Sequence, residues 1–273
     1  ESSGTTSGSA GRQYVENPAL YDAALLAGFD RFMLPDGAAL RYLLLVPNPA
    51  QHPRSSLGYM MGKVAATRGD AETGWYVNDD TLLVDAFVAD CSDTVERRQS
   101  VCIAATALAL LHVVEALEAR NLTFTLAPGS RVMETGGFKG RRERVERDEL
   151  YARTCARFGI EPEAILAEYG MSELCSQYYD DLSASRDGLP SGARIKRSPP
   201  WLRTRVLDER GIDCAEGSVG VLAHIDLANR SSCIAVLTED LGAHIGDGIV
   251  LLGRERGAQL RGCSLDAEGL RAI

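Results

Sequence analysis

Two short apolar runs in this chain each end in a loop of small, aromatic and acidic residues. Ser130 to Thr135 delivers Gly136-Gly137, and Ile165 to Glu168 delivers Tyr169-Gly170-Met171-Ser172-Glu173. This is the strongest constraint on the fold, because strands alternating with helices imply an α/β domain, in which ligands gather beyond the carboxyl ends of the strands. A Gly-Gly pair lets backbone approach a flat ligand with no Cβ in the way. The second loop offers an aromatic face, a hydroxyl and a carboxylate within five residues. Together they read as the floor and wall of a nucleotide site.

The rest of the chain supplies the layers. Asn17 to Ala27 reads as a helix with Asn17 as N-cap, Pro18 at its first position and Gly28 at its end. Tyr42 to Pro47 reads as a strand stopped by prolines, and Thr81 to Ala89 as a second strand. Thr94 to Arg120, apolar on nearly all sides over Val101 to Val114, is predicted to be one long buried helix, with His112 as a core histidine. Leu122 to Leu126 alternates like a strand, and Leu150, Tyr151, Thr154, Cys155 and Phe158 repeat at helical spacing before a Gly159 cap. Beyond Asp187 the texture becomes β-rich, with strands predicted at Trp201 to Asp208, Gly220 to Asp226, Ile234 to Thr238 and Gly248 to Gly253. The division that follows is an α/β core over 1–187, a β-rich subdomain over 188–254 and a short tail over 255–273.

Composition excludes several function classes. The formal charge is −9, against general nucleic-acid binding or adhesion to an anionic membrane, both of which need clustered cations. The seven cysteines are odd in number, far apart and without a Cys-x-x-Cys, so the reading is reduced thiols in a cytoplasmic protein, not disulfides or zinc. The longest apolar run is too short for a membrane span. The opening Ser2-Ser3-Gly4-Thr5-Thr6-Ser7-Gly8 suits a polyphosphate cradle of backbone N–H and short O–H donors, though a Gly/Ser-rich terminus has the same composition. No strand precedes it, so a missing N-terminal portion is expected.

Taken in order, Ser2 to Gly8, Tyr169 to Glu173, Thr238-Glu239-Asp240 and Asp247-Gly248 to Gly253-Arg254 resemble the phosphate loop, Tyr-Gly-x-[Ser/Thr]-Glu, Thr-Gly-Asp and Asp-Gly…Gly-Arg motifs of the adenylate-forming enzymes. That superfamily includes acyl-CoA synthetases, firefly luciferase and nonribosomal peptide adenylation domains. Within it, Met133 to Gly140, Glu168 to Leu174 and Leu260-Arg261-Gly262-Cys263-Ser264-Leu265 look most like the LuxE-type acyl-protein synthetases. The resemblance implies the fold of an adenylate-forming N-terminal domain without the usual mobile C-terminal domain. It also implies a reaction in which a carboxylic acid, a fatty acid in the luminescence members, is activated by ATP with Mg²⁺ and passed to a cysteine. An acyl reductase or acyltransferase is the implied protein partner. A phenylacetate-type acyl-CoA ligase and an inactive nucleotide- or acyl-binding partner are the alternatives.

Carried over residue by residue, the resemblance assigns Ser2, Ser3, Gly4, Thr5, Thr6, Ser7, Gly8 and Ser172 to the phosphates. Thr135, Gly136, Gly137, Tyr169, Gly170 and Asp240 fall to adenine and ribose, with Asp247 a rival for the ribose. Glu173 becomes the magnesium ligand, since a hard cation takes carboxylate oxygen. Arg254 pairs with ribose or phosphate by its planar fork, or with Glu255 at the surface. Cys263 is the implied acyl acceptor, with Arg261 beside it to favour the thiolate, and Cys175 is its rival. The superfamily's usual lysines, in the phosphate loop and the C-terminal domain, have no counterpart here.

Overall fold

A computed structural model describes residues 13–69, 72–78, 81–136, 145–184, 189, 193–254 and 271–272. In chain order the helices are α1 (Pro18–Met33), α2 (Ser56–Arg68), α3 (Val84–Glu96), α4 (Ala107–Ala119) and α5 (Arg147–Phe158). The strands are β1 (Arg41–Pro47), β2 (Gly74–Asn78), β3 (Thr81–Leu82), β4 (Val101–Thr106), β5 (Arg131–Thr135), β6 (Ile165–Tyr169), β7 (Tyr178–Asp180), β8 (Ile195–Arg197), β9 (Leu202–Leu207), β10 (Gly220–Asp226), β11 (Ala235–Ile245), β12 (Gly248–Arg254) and β13 (Arg271–Ala272). Among the described residues they form one sheet in the order β13-β3-β2-β1-β4-β5-β6-β7-β8-β12-β11-β10-β9. The pairs β2-β1, β1-β4, β4-β5 and β5-β6 are parallel, and every pair from β6-β7 to β10-β9 is antiparallel.

The parallel half is buried on both faces. Leu43, Leu45, Ile103, Ala105, Val132 and Ile165 turn toward a core shared with α3, α4 and α5. Tyr42, Leu44, Val46, Cys102, Ala104 and Met133 turn the other way, toward α1 and α2. A strand with helices on both sides has no polar face, which is why β1 and β4 are continuous apolar runs.

Several expectations change here for physical reasons. The predicted strand Thr81 to Ala89 is a strand only at Thr81–Leu82, and α3 follows, because Val84, Phe87, Cys91 and Thr94 are buried at helical spacing. The predicted long helix over Thr94 to Arg120 is three elements: the end of α3, the central strand β4, and α4. Arg98 with φ 52° reverses the chain before β4, and the Thr106 hydroxyl caps α4 by accepting from the Ala109 N–H at 3.2 Å. A fully apolar run carries no period that separates a central strand from a buried helix. Leu122 to Leu126 forms no strand; Phe124 and Leu126 donate their N–H groups to the Arg157 and Phe158 carbonyls at the end of α5. α1 runs through Gly28 to Met33, with Asn17 and Pro18 at its start as expected. Gly159 caps α5 at φ 61°, in a position where a Cβ would press on the Phe124 carbonyl.

The turn from parallel to antiparallel pairing is held by buried ions. Asp180 accepts from Lys196 Nζ at 2.6 Å, from Arg194 Nη1 at 3.1 Å and from the Ala167 N–H at 2.8 Å. The cations continue to the Ala167 and Ile165 carbonyls of β6. Burial alone would raise the Asp180 pKa, but Lys196 and Arg194 hold it below the usual carboxylate range. Asp180→Ala leaves two buried cations without their anion and is expected to cost about 3–5 kcal/mol in urea unfolding.

Glu168, on β6 beside this cluster, behaves oppositely: burial pushes it up to about 7 from an ordinary 4.5, against the smaller downward pull of Thr135 and Lys196. Below about 4.5 the carboxyl is protonated in both folded and unfolded chains. Between 4.5 and 7 only the folded chain keeps the proton, so its contribution to stability falls as pH rises and is fully unfavourable above 7. Glu168→Gln is therefore expected to match the wild type near pH 4.5 and to exceed it by about 3 kcal/mol at pH 8, as read by chemical denaturation at the two pH values.

Candidate functional site

Parallel register pairs Thr135 with Glu168 at the carboxyl ends of β5 and β6. The Thr135 hydroxyl donates to Glu168 Oε2, and both residues are buried. They line a cavity of about 480 Å³ that is also bounded by residues of 13–21, by the start of α2 and by residues of 170–177. Tyr21, Leu57, Met60, Met171 and Leu174 give it largely apolar walls, while Gln13, Arg54, Ser55, Ser56, Thr135, Glu168 and Gln177 are polar. Ser172 lies on the same cavity, its Oγ 3.3 Å from Ser56 Oγ in the first turn of α2.

The next residue on β6 faces the other way, as strand alternation requires. The Tyr169 hydroxyl donates to Asp240 Oδ2 at 2.8 Å and lies 3.3 Å from His224 Nε2. Its ring packs against Tyr178 and His224 at centroid distances of 5.6 and 5.9 Å. His224 is fully buried, with Nδ1 2.8 Å from the Tyr178 hydroxyl and 3.1 Å from that of Thr204. Burial lowers its pKa to about 4 despite the opposing field of Asp240, so the imidazole is neutral near pH 7. His224 thus joins Tyr169, Tyr178 and Thr204 in one network. Across β11 and β12, the backbone of Asp240 pairs with that of Arg254.

The loop after β6 is held from the antiparallel half of the sheet. Asp226 accepts from the Cys175 N–H at 2.9 Å and the Ser176 hydroxyl at 2.8 Å. Asn229 Nδ2 donates to the Glu173 carbonyl at 2.6 Å, and its Oδ1 accepts from Gln13 Nε2 at 2.9 Å. Glu173 thereby has a fixed backbone and a partly exposed side chain. Gly136, at φ 80°, ends β5 in a backbone conformation suited to glycine and lines a smaller cavity with Glu134 and Arg147. Cys175 is buried, donates to Asn229 Oδ1 and has its pKa pushed up to about 12 by burial, the opposite of an activated thiol. Asp247 stands on an exposed turn in an ion pair with Arg197.

The structure therefore brings Thr135, Gly170 and Ser172 together on one cavity and joins Tyr169 to Asp240 on the other side of β6. Ser2 to Gly8, Gly137 and Cys263 lie outside the described residues. Ser56, Gln177, Asp226 and Asn229 carry no local signal that sequence reading could use, since each matters through a contact more than 40 residues away or through a cavity. Glu168 had one: period-2 alternation puts it on the opposite side of β6 from Tyr169.

The fold is that of adenylate-forming enzymes. An adenylation and carrier didomain, McyG, complexed with phenylalanyl-adenylate is 15% identical with a TM-score of 0.60, covering 87% of this chain and 43% of that one. An adenylation domain of a keto acid-selecting nonribosomal module, bound to a keto acyl adenylate, gives 14%, 0.61, 86% and 49%. ATP-bound MatB from Rhodopseudomonas palustris gives 16%, 0.56, 86% and 44%. The chain thus spans less than half the length of these solved structures. No curated protein matches it significantly. No described helix is long and apolar enough to cross a membrane. The model of the LuxE acyl-protein synthetases matches residues 71–268, most of the sequence, and the chain belongs to that family.

Proposed function

We propose that this protein activates a carboxylic acid with ATP, forming an acyl-adenylate and pyrophosphate, and then transfers the acyl group to a cysteine, Cys263 of its own tail. The observation that carries the reading is the pairing of two unlike surfaces at the end of β6: a cavity with largely apolar walls on the Glu168 side, and the Tyr169–Asp240 pair on the other. The first suits the hydrocarbon part of an acid. The second offers an aromatic ring and a carboxylate to a nucleoside, with Gly136 close by at the end of the neighbouring strand.

In the first step a carboxylate oxygen of the acid attacks the α-phosphorus of ATP, and the bond to the β-phosphate bridge breaks to release pyrophosphate. Little covalent chemistry falls to the protein, so its work is alignment and charge stabilisation. Ser172, on the cavity and at the loop between the two surfaces, is suited to donate to the α-phosphate. Tyr169 and Asp240, braced by Tyr178 and His224, would hold the nucleoside, with Asp240 accepting from ribose hydroxyls. Gly136 and Gly137 would shape the adenine and ribose side, Thr135 and Gly170 would stand where that side meets the acid cavity they line, and Ser2 to Gly8 and Arg254 would hold phosphate.

Among the described residues no cluster of three or more His, Cys, Asp or Glu could hold a metal. A magnesium ion sharing phosphate oxygens and water needs one well-held carboxylate, and Glu173, with its carbonyl pinned by Asn229, fits that need. There the ion would offset charge on the leaving pyrophosphate. In the second step the Cys263 thiolate attacks the acyl carbon and AMP leaves, giving a thioester. A fatty acid as substrate, a cytoplasmic location and a reductase or acyltransferase that collects the thioester complete the reading.

Acid-dependent exchange of labelled pyrophosphate into ATP tests the first step in the full-length protein, and silence across fatty, aromatic and substituted acids would overturn it. Glu173→Gln is expected to lower the exchange by roughly 100-fold or more. Cys263→Ser is expected to keep the exchange and lose covalent uptake of labelled acyl groups. Acyl uptake equal to wild type in that variant would remove Cys263 as the acceptor.

A further inference from the structure

The lining of the acid cavity includes buried polar groups that a plain alkyl chain would leave unused. Glu168 is 7% exposed and Gln177 is 6% exposed, and both line the cavity. The single proton of the Thr135 hydroxyl engages Glu168 Oε2, while Oε1 lies over Gly170, in the space a Cβ there would occupy. Gln177 Oε1 is buried with no hydrogen-bond partner. The nearby cation offers little relief, because Lys196 Nζ is already engaged by Asp180 at 2.6 Å and by the Ala167 carbonyl at 3.0 Å. Two residues with acceptor oxygens, one of them a carboxyl, therefore stand beside Gly170 in the lining of a cavity whose walls are mostly carbon.

Acceptors in such a place select a donor. A methylene group packed against these residues returns no hydrogen bond, whereas a donor on the ligand does, an amino group having a proton for each acceptor and a hydroxyl for one of them. Sites built this way reject analogues that lack the donor far more strongly than apolar pockets reject a missing methylene. Resting on the reading of the cavity as the acid site, we infer that the acid carries an amino or hydroxyl group that reaches Glu168 and Gln177, making these two residues determinants of substrate choice. The substrate class is then amino- or hydroxy-substituted carboxylic acids. Gly170 belongs to the same device, since a side chain there would fill the space over the Glu168 carboxyl.

The test compares acids of one length in the pyrophosphate exchange assay with the full-length protein: octanoic acid against 2-amino-, 3-hydroxy-, 8-hydroxy- and 8-aminooctanoic acids. At least one donor-bearing acid is expected to exceed octanoic acid in kcat/KM by on the order of 100-fold. Glu168→Leu and Gln177→Leu, each checked for folding by its thermal transition, are expected to narrow that ratio at least tenfold, on the scale of one lost hydrogen bond to a charged or buried partner. Gln177→Leu keeps the carboxyl in place and so reports even if the Glu168 variant does not fold. Octanoic acid equal to or better than every substituted acid overturns the inference and leaves acid activation standing. A wild-type preference that neither folded variant narrows also overturns the role of these residues. Exchange with none of the five, nor with the wider acid panel, removes acid activation and this inference together.

Discussion

The register of β5 against β6 is the constraint on which the rest of the site depends. Pairing Thr135 with Glu168 puts both on the face toward α1 and α2, and alternation then sends Tyr169 to the opposite face. The slip of one residue would exchange these faces, burying the tyrosine under α1 and turning the carboxyl toward Tyr178 and His224. Helices cover both faces of the parallel half, so such a slip would also invert the apolar contacts of Met133 and Leu166. The same packing that stabilises the sheet therefore fixes which side of β6 meets which chemistry.

Beyond the strand ends, the loop carrying Ser172 and Glu173 has no regular structure of its own to hold it. Its order comes from the antiparallel half, through Asp226 and Asn229 at the end of β10, and from Leu174 and Tyr178 packed with Leu202, Leu222 and Ile249. Asp226 is fully buried and answers two backbone N–H groups and a hydroxyl, a well-satisfied arrangement for a buried carboxylate. The antiparallel strands thus do more than extend the sheet. They fix the position of a loop that emerges from the parallel half.

Local chemistry was the readable part of this fold. Asn17 and Pro18 at the start of α1, Gly159 at the end of α5, and the glycine after β5 each act through the nearest few residues, and each stands where sequence reading expected. The stretch from Thr81 to Arg120 was misread because its identity is set by tertiary burial. Val101 to Thr106 is a strand only because β1 and β5 flank it, and nothing within its five apolar residues distinguishes it from the turns of α4 that follow. The site divides along the same line. Loop motifs pointed to Tyr169, Ser172 and Asp240, whereas Asn229, Asp226 and Ser56 act across 50 or more positions and leave no local trace.

The distribution of charge at the strand ends bears on what the cavity is for. Asp180 sits between Arg194 and Lys196 and takes both cations. Glu134 has the Tyr151 hydroxyl at 2.9 Å and Arg147 at 3.7 Å, on the other face of β5. Glu168 is left with a threonine hydroxyl, and burial holds it partly protonated near neutral pH. Stability alone would favour an amide or an apolar side chain there, since a buried carboxyl whose nearby cation, Lys196, is already engaged by Asp180 weakens the folded state as pH rises. That cost, borne beside a cavity, fits the inference that the partner of Glu168 arrives with the ligand. On that inference Glu168 and Gln177 select the ligand's donor, and the apolar walls select the rest of it.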